Sequence, residues 1–132
     1  MKGYTMTFEH FETWLELYKA AWESRDPDAA QAIFTEDATY QVTPFREPEM
    51  YRDGIRAYWV RATTDQRDVR FQSEMLASNG NTGICRWNCH FDLTSDGVHV
   101  EIDGIFVFVL NEDGRCIRFQ EWWHENVTDN SA

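Results

Sequence analysis

The run Ile117-Arg118-Phe119-Gln120-Glu121-Trp122-Trp123-His124 alternates as a strand does, with one irregularity. With a side-chain period of two, Ile117, Phe119 and Trp123 share an apolar face opposite Arg118, Gln120 and His124. The residue that completes the apolar face is Glu121. A carboxylate on an inward face loses its water, and burial disfavours the charged form. Its pKa therefore rises toward the range useful for acid–base work near neutral pH. No Lys or Arg shares that strand face to restore the charge. Two readings of Glu121 follow: an acid/base aimed at a bound molecule, or a brace that pairs with a nearby Arg or Tyr.

Around this carboxylate the sequence is rich in rings. Tyr40, Trp59, Trp87, Phe106, Phe119 and Trp123 fall on inward faces of their elements and are candidate wall residues of a pocket. Each of them also suits a solid core. Tyr18 lies on an apolar helix stripe, where its hydroxyl must find a partner. The histidines offer less: His90, His99 and His124 alternate to outer strand faces and His10 stands near a helix start, so surface or interface roles fit them better than catalysis. A nucleophile elbow, a Gly-rich phosphate loop and a HExxH helix are all missing. Cys85 and Cys89 occupy one strand about 13 Å apart at ~3.3 Å per residue, too far for a disulfide. A metal site joining them to His90 would need both strand faces at once. With Cys116 they read as buried free thiols of a reducing cytoplasm, and no metal is expected.

The elements that must position these groups are legible from spacing. Thr7 can cap a helix to about Ser24, with Phe8, Phe11, Leu15, Tyr18 and Trp22 in its stripe. Asp26-Pro27 opens a short second helix through Ala29, Ala30, Ile33 and Phe34. Residues 38–42 alternate as a first strand, and a third helix over about Ile55 to Ala62 follows, capped by Asp53. From Val69 onward the pattern is period two, broken at Asn79-Gly80-Asn81, Asp96-Gly97 and Asp113-Gly114. Val98, Val100, Ile102, Phe106 and Phe108 make one face of the strand after Gly97. Its other face runs His99, Glu101, Asp103 and then Ile105, Val107, Val109. A segment apolar on both sides is covered on both sides. A helix covers one, and a second copy of the chain is the natural cover for the other.

Composition bounds the function. The 132 residues are enough for one domain over 1–132 with a real core. Nine Phe, six Trp and five Tyr within an apolar content of 42% exclude a disordered chain. Twelve basic against twenty-three acidic residues give a net charge of −11. That field repels phosphate backbones and anionic membranes, so neither nucleic acid nor membrane is an expected partner. No apolar stretch reaches membrane length and no signal pattern opens the chain, so a cytoplasmic location is expected.

The order of elements, together with Trp22-Glu23-Ser24-Arg25-Asp26-Pro27-Asp28, Phe34-Thr35-Glu36-Asp37-Ala38, Asp53-Gly54-Ile55 with Tyr58-Trp59, Asp103-Gly104-Ile105-Phe106, and Glu112-Asp113-Gly114-Arg115 through Glu121-Trp122-Trp123, resembles the nuclear transport factor 2-like superfamily, SnoaL-like branch. The resemblance covers nearly the whole chain. It implies an α+β fold: a cone-like curved antiparallel sheet wrapped around N-terminal helices, with an internal pocket. The superfamily contains isomerases, dehydratases, cyclases, epoxide hydrolases and binders, so the fold alone assigns no activity. Where ketosteroid isomerases carry a general-base Asp this chain has Val42, and near their protonated Asp it has Phe106. Their helix-1 Tyr corresponds to Tyr18, which the resemblance makes a hydrogen-bond donor to a carbonyl or oxyanion. Where limonene epoxide hydrolases place an Arg-x-Asp this chain has Trp87 and Cys89, while Glu121 matches their last Asp.

Three functions fit these residues. One is cofactor-free proton transfer, hydration or dehydration on a small hydrophobic molecule, with Glu121 as acid/base and Tyr18 as donor. The second is a ligand carrier or sensor using the same pocket. The third is a dimeric interaction module. A second polar group within reach of Glu121 favours the enzyme; an otherwise apolar cavity favours the binder.

Overall fold

The structure, a computed structural model, describes residues 6–129; the first five and last three positions of the domain expected over 1–132 lie outside the described residues. Helix α1, Phe8–Glu23, starts at Thr7, whose extended backbone N–H donates to His10 Nδ1 at 3.0 Å. It buries Phe11, Trp14, Leu15, Tyr18, Ala21 and Trp22. Two details of the expected stripe change. Phe8 is 43% exposed, because the first turn stands clear of the sheet, and Trp14 is buried. Trp14 lies three residues after Phe11 and four before Tyr18, within the broad apolar face of a globular helix.

Asp26 caps α2, Pro27–Ala32, by accepting the N–H groups of Asp28 and Ala29, both at 3.1 Å. Strand β1, Phe34–Gln41, begins four residues before the expected start, and Val42 lies just past its end, still buried. The polar Thr35-Glu36-Asp37 run hid this stretch, which is held by parallel pairing of Phe34 with Cys116 and by two hydrogen bonds from Arg52 to the Phe34 carbonyl. A two-residue strand β2, Glu49–Met50, pairs with β1 and leads into α3, Tyr51–Thr63. Asp53, expected as the cap, sits instead inside the first turn of α3, since the helix starts earlier, after Met50. There its carboxylate accepts from Gln31 Nε2 at 3.2 Å and lies at the positive end of the helix dipole.

Four long strands follow: β3, Gln66–Asn79; β4, Thr82–Leu93; β5, Val98–Leu110; and β6, Cys116–Asp129. They join β1 and β2 in one sheet of order β2-β1-β6-β5-β4-β3, parallel only between β1 and β6. Register shifts interrupt β3–β4 between Arg67 and Arg70 and between Met75 and Ala77, and β5–β6 between Val109 and Leu110. Such irregularities bend strands and increase twist, so the sheet curls around the helices without closing. The last shift also changes the phase of β6. Ile117, expected inward, is 37% exposed, while Phe119 and Glu121 keep the inner face.

The core lies on the concave side. Trp14 stacks on Phe108 at 5.0 Å, and Tyr18 on Phe119 at 5.4 Å, joining α1 to β5 and β6. Cys85, Cys89 and Cys116 are all buried and free. At the β3 edge, the Glu23 carboxylate accepts the Phe71 N–H at 2.9 Å and Lys19 donates to the Phe71 carbonyl at 3.0 Å, so α1 satisfies backbone groups that an edge strand leaves open. On the convex side Ile105, Val107 and Val109 are half-buried, with Trp122, the cross-strand neighbour of Ile105, 42% exposed.

Candidate functional site

Glu121 faces inward from β6 opposite Phe106 of β5 and is 6% exposed. Burial pushes its carboxyl up to about 8, against a hydrogen bond with the Tyr40 hydroxyl that lowers it. At neutral pH the group is therefore mostly the neutral acid, able to donate. Tyr40 arrives from β1, directly beside Phe119 in the parallel register, and stacks on that ring at 4.7 Å. The Tyr40 hydroxyl lies 3.2 Å from that of Tyr18 on α1. Burial first, and then the nearby Glu121, hold both phenols well above their ordinary range, so both stay protonated. Each hydroxyl has one proton. When Tyr40 donates to an ionised Glu121, Tyr18 must donate to Tyr40, which makes a directed chain Tyr18–Tyr40–Glu121.

These groups border a cavity of about 150 Å³. Its walls come from α1 (Tyr18, Trp22), α3 (Tyr58, Trp59, Thr63), β1 (Tyr40) and the sheet (Gln66, Trp87, Ile102, Glu121, Trp123). Of the eight residues singled out from sequence, Tyr18, Tyr40, Trp59, Trp87, Glu121 and Trp123 meet here. Phe106 and Phe119 do not line the cavity: they form the layer behind it, Phe106 stacked on Trp87 at 4.6 Å and Phe119 on Tyr40. The small residue behind Trp123 also matters. Gly104 is its cross-strand partner, and a Cβ there would meet the Trp122 carbonyl oxygen at 2.2 Å and Trp123 Cβ at 2.8 Å. Trp123 is then fixed from the other end by its indole N–H, which donates to the Val42 carbonyl at 2.8 Å.

Sequence reasoning missed Tyr58, Thr63 and Gln66 as lining residues. Ile55, Tyr58, Trp59, Ala62 and Thr63 recur at three- and four-residue spacing, a signal that was available on α3. Gln66 carried none. It opens β3 ahead of the register shift at Arg67–Arg70, where Asp68 adopts φ +55°, so the alternation read from Val69 does not extend back to it. Its Oε1 accepts the Trp22 indole N–H at 2.8 Å. Among the described residues no histidine lines the cavity: His90 and His99 face each other at 5.4 Å elsewhere, with His99 Nδ1 2.8 Å from Asp92. Among the described residues no cluster of His, Cys, Asp and Glu could hold a metal ion, and no helix is long and apolar enough to cross a membrane.

The arrangement can bind a small apolar molecule among rings and present it with one proton-exchanging carboxyl, backed by two hydroxyls. The SnoaL-like domain profile matches residues 14–119. No curated protein matches the sequence. Solved structures share the fold. One is SalBIII, an epoxide hydrolase/cyclase-like enzyme in pyran ring formation of the polyether salinomycin: TM-score 0.77, 20% identity, covering 89% of this chain and 95% of that one. A computationally designed 17-OHP binder gives a TM-score of 0.77 at 14% identity, with 89% and 96% covered. RV0760c from Mycobacterium tuberculosis gives 0.81 at 12% identity, with 94% and 100% covered.

Proposed function

The chain belongs to the SnoaL-like domain family, and from that premise we propose that it acts as a cofactor-free acid–base catalyst on a small, largely apolar molecule held in the aromatic cavity. One observation carries this reading: a buried carboxyl with its pKa near 8 borders the cavity and is tied to a second polar group, the Tyr40 hydroxyl. Glu121 would protonate an oxygen of the ligand and, as carboxylate, take a proton back. Tyr40 and Tyr18 would steady the charge on Glu121 in that state. The reaction class is isomerisation, by proton transfer alone, or hydration or dehydration, in which proton transfer accompanies the making or breaking of a C–O bond and water is the co-reactant or leaving group.

A second reading is a carrier without turnover, and a specific observation favours it. Among the described residues Glu121 is the single carboxylate or imidazole bordering the cavity, so a reaction there must return the proton to the group that gave it. Fold relatives include both an epoxide hydrolase/cyclase-like enzyme and a designed binder, so the architecture serves either role. The test is a panel of small cyclic ketones in deuterated water. The catalytic reading expects thermal stabilisation of the protein together with deuterium incorporation beside the carbonyl, and loss of incorporation but not of binding in Glu121→Gln. Binding without incorporation in the wild type assigns the carrier.

The same proposal includes one domain over the whole chain and a cytoplasmic location, for which the three free buried cysteines speak. It also includes a homodimer through the convex face, where Ile105, Val107 and Trp122 form a partly exposed apolar strip.

A further inference from the structure

Tyr, Trp and Cys aside, three polar side chains are buried among the described residues: Thr63, Gln66 and Glu121. All three line the cavity. The Thr63 hydroxyl is satisfied, donating to the Trp59 carbonyl at 2.7 Å. Gln66 is satisfied at one end only. Its Oε1 accepts the Trp22 indole N–H at 2.8 Å, and because an indole nitrogen only donates, this contact fixes which end of the amide is oxygen. The two N–H bonds on Nε2 are then left with no acceptor among the described residues. The indole nitrogens of Trp59 and Trp87 also lack partners, but they are sealed from any molecule in the cavity, whereas the Gln66 amide nitrogen is not. Strained backbone aims Gln66 inward. Asp68 takes φ +55° at the register shift between Arg67 and Arg70, and Arg25, at φ +51°, donates from Nη1 to the Gln66 carbonyl at 2.7 Å. Bulges and left-handed non-glycine residues gather where a strand re-aims a side chain at a site.

We propose that Gln66 is the ligand-orienting donor of the cavity, and that the ligand is a small ring compound with two oxygen functions at opposite ends, one meeting Glu121 and the other accepting from the Gln66 amide. This rests on the proposed binding role of the cavity and narrows its substrate class. The two ends follow from the walls. Tyr18 and Tyr40 mark the Glu121 end and Trp22 marks the Gln66 end, and the Tyr18 and Trp22 rings, a helical turn from one another on α1, have centroids 6.0 Å apart. The acceptor follows from the amide. Nε2 only donates, and turning the amide over to present Oε1 would leave the Trp22 N–H unmet in the interior. Trp22 is thus the positioning residue that keeps the donor end of Gln66 toward the ligand. Size follows from the volume: about 150 Å³ is the scale that holds a benzene ring, which suits a single six-membered ring.

The experiment uses the whole chain with two probes of one shape: cyclohexane-1,4-dione, and 4-methylidenecyclohexanone, in which a CH2 group replaces one carbonyl oxygen. Calorimetry follows affinity, and proton–nitrogen NMR follows the Gln66 side-chain amide. In the wild type the dione should bind roughly tenfold tighter than the methylidene ketone and should shift a Gln66 side-chain N–H signal downfield. Gln66→Met keeps the length of the side chain and removes the donor, so the advantage of the dione should shrink to within about twofold. The same change leaves the Trp22 N–H without its acceptor. A purely structural role for Gln66 would therefore lower the melting temperature and leave the ratio of the two affinities at its wild-type value. Trp22→Phe combined with Gln66→Met removes donor and acceptor together, and gives a second background in which the ratio should shrink in the same way. Equal affinities in the wild type, a preference that survives both variants, or a bound dione that leaves the Gln66 amide signals unmoved would overturn the assignment of Gln66 while leaving the cavity a binding site. Failure of both probes to bind the wild type would overturn the binding role and this assignment together.

Discussion

The hydroxyls of Tyr18 and Tyr40 lie 3.2 Å apart, one carried by a helix and the other by a strand, and the Tyr40 hydroxyl pulls down the pKa of the neighbouring Glu121 carboxyl. Three elements distant in sequence thus meet in one buried polar chain. Removing the middle link separates its functions. Tyr40→Phe takes away the hydrogen bond that lowers the Glu121 pKa, so that pKa should climb above its wild-type value of about 8. It also leaves the Tyr18 hydroxyl buried without its partner, at a cost of about 1–3 kcal/mol in chemical denaturation. Tyr18→Phe should raise the Glu121 pKa by less, because Tyr18 acts on the carboxylate only through Tyr40. Equal pKa values in all three proteins would show that the chain does not reach the carboxyl.

Glu121→Gln should stabilise the protein at pH 8 by up to about 4 kcal/mol, because it removes an ionisation that burial opposes. At pH 4 the two proteins should be nearly equal. A stability deficit of the variant at pH 8 would instead make Glu121 a structural brace.

Glu23 should behave with the opposite sign. Burial works against its carboxylate, but the Phe71 N–H and Lys19 outweigh burial and hold its pKa below 4.5. Its contribution is present above the unfolded pKa and is lost as pH falls through the lower folded one. Glu23→Gln should cost about 1–2 kcal/mol at pH 7 and much less near pH 3. A cost independent of pH would locate the effect in packing alone.

Much of this fold was written in spacing. The hairpin turns at Asn79-Gly80, Asp96-Gly97 and Asp113-Gly114 and the inward faces of β4 and β5 read directly from the sequence, because period-two alternation survives wherever the ladder is regular. What failed to read lies at irregularities. Ile117 sits at the β5–β6 register shift, Gln66 ahead of the β3 one, and Phe34–Asp37 is a polar stretch made a strand by distant pairing. The site was legible through one misplaced charge, Glu121. Its link to Tyr40 was not, because β1 pairs with β6 across the whole length of the sequence, and no local pattern carries that contact.

Gly104 gives a test of how tightly the wall is built. Gly104→Ala places a methyl group 2.2 Å from the Trp122 carbonyl oxygen, a backbone atom that cannot rotate away. The cost should be about 1–3 kcal/mol or more, with β5 and β6 forced apart at Trp123. A melting temperature unchanged from wild type would mean that the two strands are more loosely held there.

A convex-face dimer should dissociate when charges enter its strip. Ile105→Lys with Val107→Glu should convert a dimer to a folded monomer by sedimentation at micromolar concentration, and a wild type that sediments as a monomer would remove the proposal.

The central claim is the state of one carboxyl, and its titration in the folded protein reads that state directly. Carbon-13 NMR of side-chain-labelled Glu should show Glu121 titrating near 8, far from the exposed glutamates. Because the unfolded chain has the ordinary value of about 4.5, folding stability should then fall as pH rises between about 4.5 and 8, by up to ~1.4 kcal/mol per pH unit from this group, and level off above. A Glu121 signal titrating near 4.5 would contradict the account, since a carboxyl already ionised at neutral pH could not serve as the cavity's acid.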